Sequence, residues 1–145
     1  MTLSTELPGT WLLRSRIDVT RDGKPHPDPM LGEDPVALLI YDRTGHFSAQ
    51  FMKKDRSTAV QAPTAGGKNN TLAQNGYDAY FGKYSVDDRN GTVTQELMGS
   101  LSAANVGMVL TRAMEVRGDT LVIKLETTAV DGTPIVRTLT WKRAA

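Results

Sequence analysis

Apolar and polar residues alternate with a period of two along most of this chain. Because successive side chains of a β-strand point to opposite faces, this pattern predicts strands rather than helices. Eight such segments occur, at residues 11–19, 36–42, 46–52, 82–87, 92–98, 108–116, 120–128 and 135–142. Turn residues such as Asn90-Gly91 and Arg117-Gly118-Asp119 separate them, and both sequences are typical of hairpins.

Short connections make successive strands antiparallel neighbours, and eight such strands can close into a barrel without an exposed sheet edge. We therefore expect an all-β fold, an eight-stranded antiparallel up-and-down β-barrel, with residues 1–145 as one domain. Two connections, 20–35 and 53–81, are long enough to be lids or binding loops. The spacing of Tyr77, Tyr80 and Phe81 predicts one short helix in the 70–81 connection.

Composition narrows the possible partners. The net charge is +1, from 17 basic and 16 acidic residues, so no basic stripe for nucleic acid is expected. No segment approaches the roughly 20 apolar residues that span a bilayer, and no signal peptide is visible, so we expect a cytoplasmic protein without a membrane partner. With no cysteine and two histidines, no metal and no cofactor are expected. A monomer or a homodimer fits this composition equally well.

The two ends of the chain carry a recognisable pattern. Gly9-Thr10-Trp11 opens the first strand, and Trp141-Lys142-Arg143 closes the last. This pattern resembles that of lipocalins and other calycins, in which a basic residue of the last strand lies over the first-strand indole. In a closed barrel these strands pair, so Arg143 would cap Trp11 by a cation–π contact. Four further segments resemble small lipocalin-like domain proteins of bacteria and fungi: Leu31–Tyr41, Gly45–Gln50, Tyr80–Tyr84 and Gly91–Thr94.

Three kinds of function are open, of which the resemblance implies the first two, and the family carries no shared catalytic motif. Lipocalin-like barrels bind small hydrophobic or amphipathic molecules in the lumen. We expect this chain to bind such a molecule, with an anionic head group as one option. The alternative is a cofactor-independent isomerase, cyclase or lyase that acts on a natural-product-like substrate in the same cavity. The third is an interaction module whose barrel is filled by side chains. A cavity of about 300–1,000 Å³ favours the first two.

Pairing across the last two hairpins places Arg112 and Arg137 on the apolar face, about 10 Å apart on either side of Leu125. A buried guanidinium without a partner is costly, and the strands offer no nearby carboxylate on that face. An anionic head group between the two arginines is therefore one interpretation. The predicted ligand-binding residues are Arg112, Arg137, Tyr84, Gln95, Tyr80, Met108, Met114 and Trp141.

Three other interpretations of the arginines stay open at this point. A loop acid such as Asp78 or Glu33 could pair with them, the register could differ by one residue, or the side chains could extend to the barrel mouth.

The 36–52 hairpin and its turn leave two questions open. We favour as the lumen the face that carries Val36, Leu38, Ile40, Phe47, Ala49 and Phe51. The other face carries Ala37, Leu39, Tyr41, His46, Ser48, Gln50 and Met52. His46 follows Asp42 by four residues, and a His–Asp pair can act as a general base. Such a pair more often stabilises a turn, so His46, Asp42 and Tyr84 are weak catalytic candidates.

Overall fold

Strands form where the alternation predicts them. The computed structural model describes residues 2–57 and 73–144. The strands are β1 (Gly9–Thr20), β2 (Val36–Tyr41), β3 (His46–Met52), β4 (Tyr77–Asp87), β5 (Thr92–Ser100), β6 (Val109–Arg117), β7 (Thr120–Thr128) and β8 (Pro134–Arg143). Each pairs antiparallel with the next, and β8 pairs with β1, which confirms the closed eight-stranded barrel. Within the described ranges, no helix is long and apolar enough to cross a membrane.

The register of β6, β7 and β8 is the one that the sequence predicts. Met114 pairs with Ile123 across the first hairpin, and Leu125 pairs with Arg137 across the second. Cross-strand partners share a face, so the predicted lumen face is confirmed here. Arg112 and Arg137 both lie inside the barrel and are buried.

One end of the barrel is closed around Trp11. A short helix, α1 (Leu3–Glu6), precedes β1, and the Arg143 guanidinium lies 4.2 Å from the Trp11 ring centroid. Arg143 also donates hydrogen bonds to the carbonyl oxygens of Glu6 and Pro8. Gly9 has a φ of +143°, and a Cβ there would lie 2.7 Å from the Arg143 guanidinium. The Gly-x-Trp sequence therefore makes room for the arginine that caps the tryptophan.

The opposite end, which we call the loop end, carries both long connections. The 20–35 connection folds inward there and buries Asp28, Met30 and Leu31. A short 3₁₀ turn, Ala103–Asn105, lies in the connection between β5 and β6 at the same end. Residues 58–72, which include part of the predicted lid, lie outside the described residues.

The helix predicted within 70–81 is wrong for its described residues. Residues 77–81 are the first five of β4, and a turn at Asn75-Gly76 leads into them. Pairing of Met52 with Tyr77 extends the β3–β4 ladder over these positions, and this tertiary pairing outweighs the local aromatic spacing. As a result, Tyr80 faces the lumen while Phe81 is exposed. The short α-helix within residues 2–57 and 73–144 is α1.

The preferred lumen face of the β2–β3 hairpin is right for β3 and wrong for β2. The buried β2 side chains are Ala37, Leu39 and Tyr41, opposite Phe51, Ala49 and Phe47. The predicted face requires a turn of four residues, 42–45, which would set Tyr41 opposite His46. The turn has three residues, ending in Gly45 at φ +87°, so the Asp42 backbone N–H bonds to the His46 carbonyl oxygen and the register moves by one.

A β-bulge reverses the faces of β1 halfway along the strand. Leu13 pairs with Trp141, but Ser15 already pairs with Thr140, so Arg14 is an extra residue. Beyond the bulge Arg16 and Asp18 point inward and are buried, whereas Ile17 is 55% exposed. The expectation that no strand carboxylate reaches the lumen arginines is therefore wrong.

The first testable prediction concerns the buried tryptophans. Trp11→Ala and Trp141→Ala should each lower the free energy of unfolding by about 3–5 kcal/mol, because each leaves a large cavity. Leu12→Ala is the matched control, since Leu12 adjoins Trp11 and is 50% exposed, and it should cost far less. Chemical denaturation measures all three. Losses below about 1 kcal/mol for both tryptophans would contradict their role in the core.

Candidate functional site

The lumen contains a small cavity between its charged and apolar walls. The cavity has a volume of about 50 Å³, which holds a few water molecules. Polar side chains converge on it from six strands, and apolar ones from β2, β3, β7 and β8 complete its wall. The lining residues are Arg16, Leu39, Tyr41, Phe51, Tyr80, Gln95, Arg112, Ile123, Leu125, Arg137, Leu139 and Trp141.

Arg137 is held by a two-pronged ion pair with Asp18. Its Nε lies 2.8 Å from Asp18 Oδ1, and its Nη2 lies 3.0 Å from Asp18 Oδ2. Both side chains are almost fully buried. Parallel N–H···O bonds of this kind fix the guanidinium plane as well as its position. The side of Arg137 that lines the cavity is thereby oriented by β1.

Arg16 connects the Asp18 carboxylate of β1 to Asp28 of the 20–35 connection. Its Nη2 lies 3.2 Å from Asp28 Oδ2, and its Nη1 lies 4.0 Å from Asp18 Oδ2. Asp28 Oδ1 accepts a hydrogen bond from the Met30 backbone N–H, which ties the connection to its own carboxylate. Burial and the nearby Arg137 charge lower the pKa of Arg16, while Asp28 and Asp18 oppose that shift.

Arg112 approaches the cavity from β6. It is buried, and burial lowers the pKa of its guanidinium. The positive charge of Arg137 also lowers this pKa, while Tyr80 and Tyr41 act in the opposite direction. Arginine remains protonated in proteins, so Arg112 and Arg137 both bring positive charge to one small cavity. A negatively charged group between them reduces their mutual repulsion.

Neutral donors and acceptors line the wall beside Arg112. Gln95 Nε2 donates to the Tyr41 hydroxyl at 2.5 Å, and that hydroxyl lies 3.8 Å from Met114 Sδ. Burial raises the pKa of Tyr41 well above its usual range, so this phenol stays protonated. The Trp141 indole N–H is buried without a hydrogen-bond partner among the described residues. An unsatisfied buried donor costs about 1–3 kcal/mol, so Trp141 gains from any acceptor that reaches it.

Asp78 is a third buried carboxylate on the lumen side of the loop end. It is 1% exposed, and neither oxygen meets a side-chain donor among the described residues. Burial raises the pKa of Asp78 to about 6, although the Ala79 backbone N–H and the Arg16 charge lower it in part. The Asp28 charge adds to the upward shift. This carboxyl changes its protonation near neutral pH, unlike an exposed aspartate.

The cavity brings together five of the eight predicted binding residues: Arg112, Arg137, Gln95, Tyr80 and Trp141. Tyr84 faces inward nearer the closed end, where its hydroxyl donates to the Asp42 carbonyl oxygen at 2.5 Å. Burial raises the pKa of Tyr84. Met114 packs in the core beside Tyr41, and Met108 lies at the core's edge, so neither methionine lines the cavity.

His46 and Asp42 lie at the turn between β2 and β3, away from the cavity. Both are exposed, and Asp42 Oδ1 accepts hydrogen bonds from the backbone N–H groups of Thr44 and His46. The His46 ring contacts the Thr44 hydroxyl at 2.8 Å. The hydrogen bonds that Asp42 accepts from His46 and Thr44 lower its pKa and give the turn its shape.

Sequence reasoning missed Arg16, Asp18 and Asp28. The first two follow the bulge in β1, and the apolar neighbours Ile17 and Val19 favour the other face when the strand is taken as regular. Asp28 lies in a connection without periodicity, so its inward position leaves no pattern. A loop acid does pair with a lumen arginine, but the pair is Asp28 with Arg16, while Glu33 is exposed.

Within residues 2–57 and 73–144, no group of three or more His, Asp or Glu side chains is arranged to hold a metal ion. Among the same residues the buried charged side chains are three arginines and three aspartates, all described above. The site therefore offers positive charge, hydrogen-bond donors and an apolar wall. This donor set suits a small anion with an apolar body.

A second prediction follows from the Arg137–Asp18 pair. Arg137→Met should lower the free energy of unfolding by about 3–5 kcal/mol, because it leaves the Asp18 carboxylate buried without its main partner. The double variant Arg137→Met with Asp18→Leu should recover much of this loss, since neither charge then remains alone. Urea denaturation of both variants measures the difference. Equal losses in the single and double variants would contradict the ion-pair assignment.

A third prediction concerns pH and Asp78. Its pKa is higher in the folded chain, about 6, than its ordinary value of 3.8, so folding binds this proton more tightly. The resulting stabilisation is fully present below about pH 4 and is lost as the pH rises through about 6. Asp78→Asn should therefore gain about 3 kcal/mol relative to the parent between pH 4 and pH 7.5. Denaturation midpoints at several pH values measure this.

Asp55 provides the control for the pH prediction. Hydrogen bonds from Ser57 lower the pKa of this exposed carboxylate, so Asp55→Asn should change stability with pH in the opposite direction. A pH-independent difference between the Asp78→Asn variant and the parent would show that Asp78 titrates normally.

Comparison with known proteins places the chain in a family. A family model described as a lipocalin-like domain matches residues 8–144, which include every strand of the barrel and both residues of the Trp11–Arg143 contact. No curated protein matches the chain significantly. The match extends over nearly the whole length, and the closed barrel agrees with it. The chain belongs to the lipocalin-like domain family.

Proposed function

We propose that this barrel binds a small amphipathic molecule with an anionic group, a compact carboxylate, in the lumen cavity. The observation that carries the proposal is the convergence of Arg112 and Arg137 on one cavity that apolar side chains also line. Guanidinium groups bind carboxylates through paired, charge-assisted hydrogen bonds. Tyr80 and Gln95 supply further polar contacts at the same cavity. Family membership supports binding in the lumen, and the arginines support the anionic class.

The size of the cavity limits the ligand. At about 50 Å³ it is much smaller than the roughly 300–1,000 Å³ of sites for drug-sized ligands. A two- or three-carbon acid therefore suits it better than a fatty acid. A longer molecule requires the side chains around the cavity to move. The cavity is thus smaller than expected of a barrel that binds a large ligand, and larger than expected of a barrel filled by side chains.

Catalysis is the second candidate, and Asp78 is the observation in its favour. A buried carboxyl with a pKa of about 6 can transfer protons at neutral pH. However, Asp78 does not line the cavity, and His46 is exposed at the far end of the barrel. A general acid or base must come within hydrogen-bond reach of the proton that it moves. Binding is therefore the function that the geometry supports best.

A fourth prediction tests the anion site with propionate. The chain has two tryptophans, so its NMR spectrum contains two indole N–H signals. Trp141 lines the cavity, whereas the Trp11 indole donates to the Leu7 carbonyl oxygen at 3.0 Å at the closed end. Propionate should shift the Trp141 signal and leave the Trp11 signal in place. Arg112→Met should weaken this binding by about tenfold or more, the usual effect of losing a charge-assisted hydrogen bond.

Matched controls separate charge from shape. Propionamide, the uncharged isostere, should bind far more weakly than propionate. Arg89→Met removes an exposed arginine from the β4–β5 turn and should leave propionate affinity unchanged. Decanoate should bind more weakly than propionate if the cavity keeps its size. Equal binding of propionate to the parent and to Arg112→Met would rule out the anion site at these arginines.

A further inference from the structure

Among residues 2–57 and 73–144, the buried charges of the lumen balance only while Asp78 is ionised. Arg16, Arg112 and Arg137 contribute three positive charges, and Asp18, Asp28 and Asp78 contribute three negative ones. Two of the carboxylates are committed to ion pairs, Asp18 with Arg137 and Asp28 with Arg16. Asp78 differs from both, because neither of its oxygens meets a side-chain donor in the described part of the chain. It is therefore the carboxylate that loses least when it takes up a proton.

Two charged groups in the described part of the chain act on Asp78. From β1 it feels the positive charge of Arg16, and from the 20–35 connection the negative charge of Asp28. On β3 its cross-strand partner is Phe51, an uncharged ring that also lines the cavity. On its own strand the next inward side chain is Tyr80, which lines the cavity as well. Asp78 thus adjoins the cavity wall through one lining residue on each of two strands, Phe51 on β3 and Tyr80 on β4. These buried surroundings screen charge poorly.

We propose that the lumen binds its anion together with a proton, and that Asp78 is the group that takes up this proton. The inference rests on the proposed function. An anion at Arg112 and Arg137 adds a fourth negative charge to the described buried side chains, whose charges otherwise cancel. Protonation of Asp78 restores neutrality, so the anion and the proton stabilise each other's binding. The ligand class is then a weak acid that enters, in net terms, as a neutral molecule.

This coupling gives the site a pH-dependent affinity. As the pH falls through the range in which Asp78 titrates, the carboxyl becomes neutral and the three arginines exceed the remaining aspartates. The affinity for an anion should then rise by about tenfold from pH 7.5 to pH 5.5, which corresponds to uptake of part of one proton. At a site whose binding group is a histidine that must stay neutral, the affinity would instead fall as the pH falls.

The experiment is an NMR titration with propionate, followed at the Trp141 indole signal between pH 5.5 and pH 7.5. The slope of log Kd against pH gives the number of protons taken up on binding. The parent should show a slope approaching one proton near pH 7, and Asp78→Asn should show a slope near zero. Asp78→Asn should also bind propionate at pH 7.5 about as tightly as the parent does at pH 5.5.

The two histidines provide the control for proton uptake at side chains other than Asp78. His26 contacts Asp131 at 3.2 Å at the loop end, and His46 contacts Thr44 at the closed end. The double variant His26→Gln with His46→Gln should keep the slope of the parent. A slope retained in Asp78→Asn, or lost in the histidine-free variant, would overturn the assignment to Asp78 while the anion site stands. A flat profile in the parent would overturn the coupling itself.

Failure of the proposed function looks different. If propionate moves neither indole signal at any pH, in the parent or in Asp78→Asn, both the anion site and its coupling to Asp78 are wrong. The indole spectrum also reports whether each variant is folded, since Trp11 and Trp141 are both buried in the native barrel.

Discussion

The extra residue in β1 determines what the barrel encloses. With Arg14 bulged out, Arg16 and Asp18 turn inward beyond it, and Asp18 meets Arg137 across the β1–β8 ladder. A regular strand would instead direct Ile17 and Val19 inward and leave Arg137 without its carboxylate. Arg16 in turn binds Asp28 and so anchors the 20–35 connection over the loop end. The Arg137–Asp18 pair and the anchoring of the 20–35 connection by Arg16 both follow from one bulge.

Ion pairs of this kind orient groups more than they stabilise a fold. Removing two charges from water costs about as much as their attraction returns, and well-packed apolar residues often serve stability equally well. The Arg137–Asp18 and Arg16–Asp28 pairs nevertheless fix two guanidinium groups at defined positions beside a cavity. Preorganised donors lower the ordering cost of binding. The placement of these charges is therefore easier to understand as part of a binding site than as part of a core.

The sequence predicts most of the barrel because tight turns and paired apolar residues restrict the register. In β6, β7 and β8, Met114 opposite Ile123 and Leu121 opposite Trp141 allow one alignment that places the apolar side chains of all three strands on the lumen face. Prediction fails where one residue more or fewer between paired positions shifts the register and leaves no mark in the apolar pattern. Arg14 reverses the second half of β1, and the three-residue turn before His46 moves β2 by one position.

The site is less predictable than the fold for a related reason. Arg112 and Arg137 are visible in the sequence because charge interrupts an apolar face. Their partners are not, since Asp18 depends on the bulge and Asp28 on an irregular connection. Asp78 appears in the sequence only as one acid among several. Its unusual surroundings arise from β4 beginning earlier than the local pattern predicts.

The Trp11–Arg143 contact also bears on how the chain folds. It joins residues at opposite ends of the sequence, and the β1–β8 ladder that it closes is the least local pairing in the barrel. Hairpins such as β6–β7 need only a short loop to close, whereas this ladder requires the whole sheet to curl first. The contact should therefore form after the folding barrier. Weakening it would speed the opening of the barrel and leave the rate of its assembly nearly unchanged.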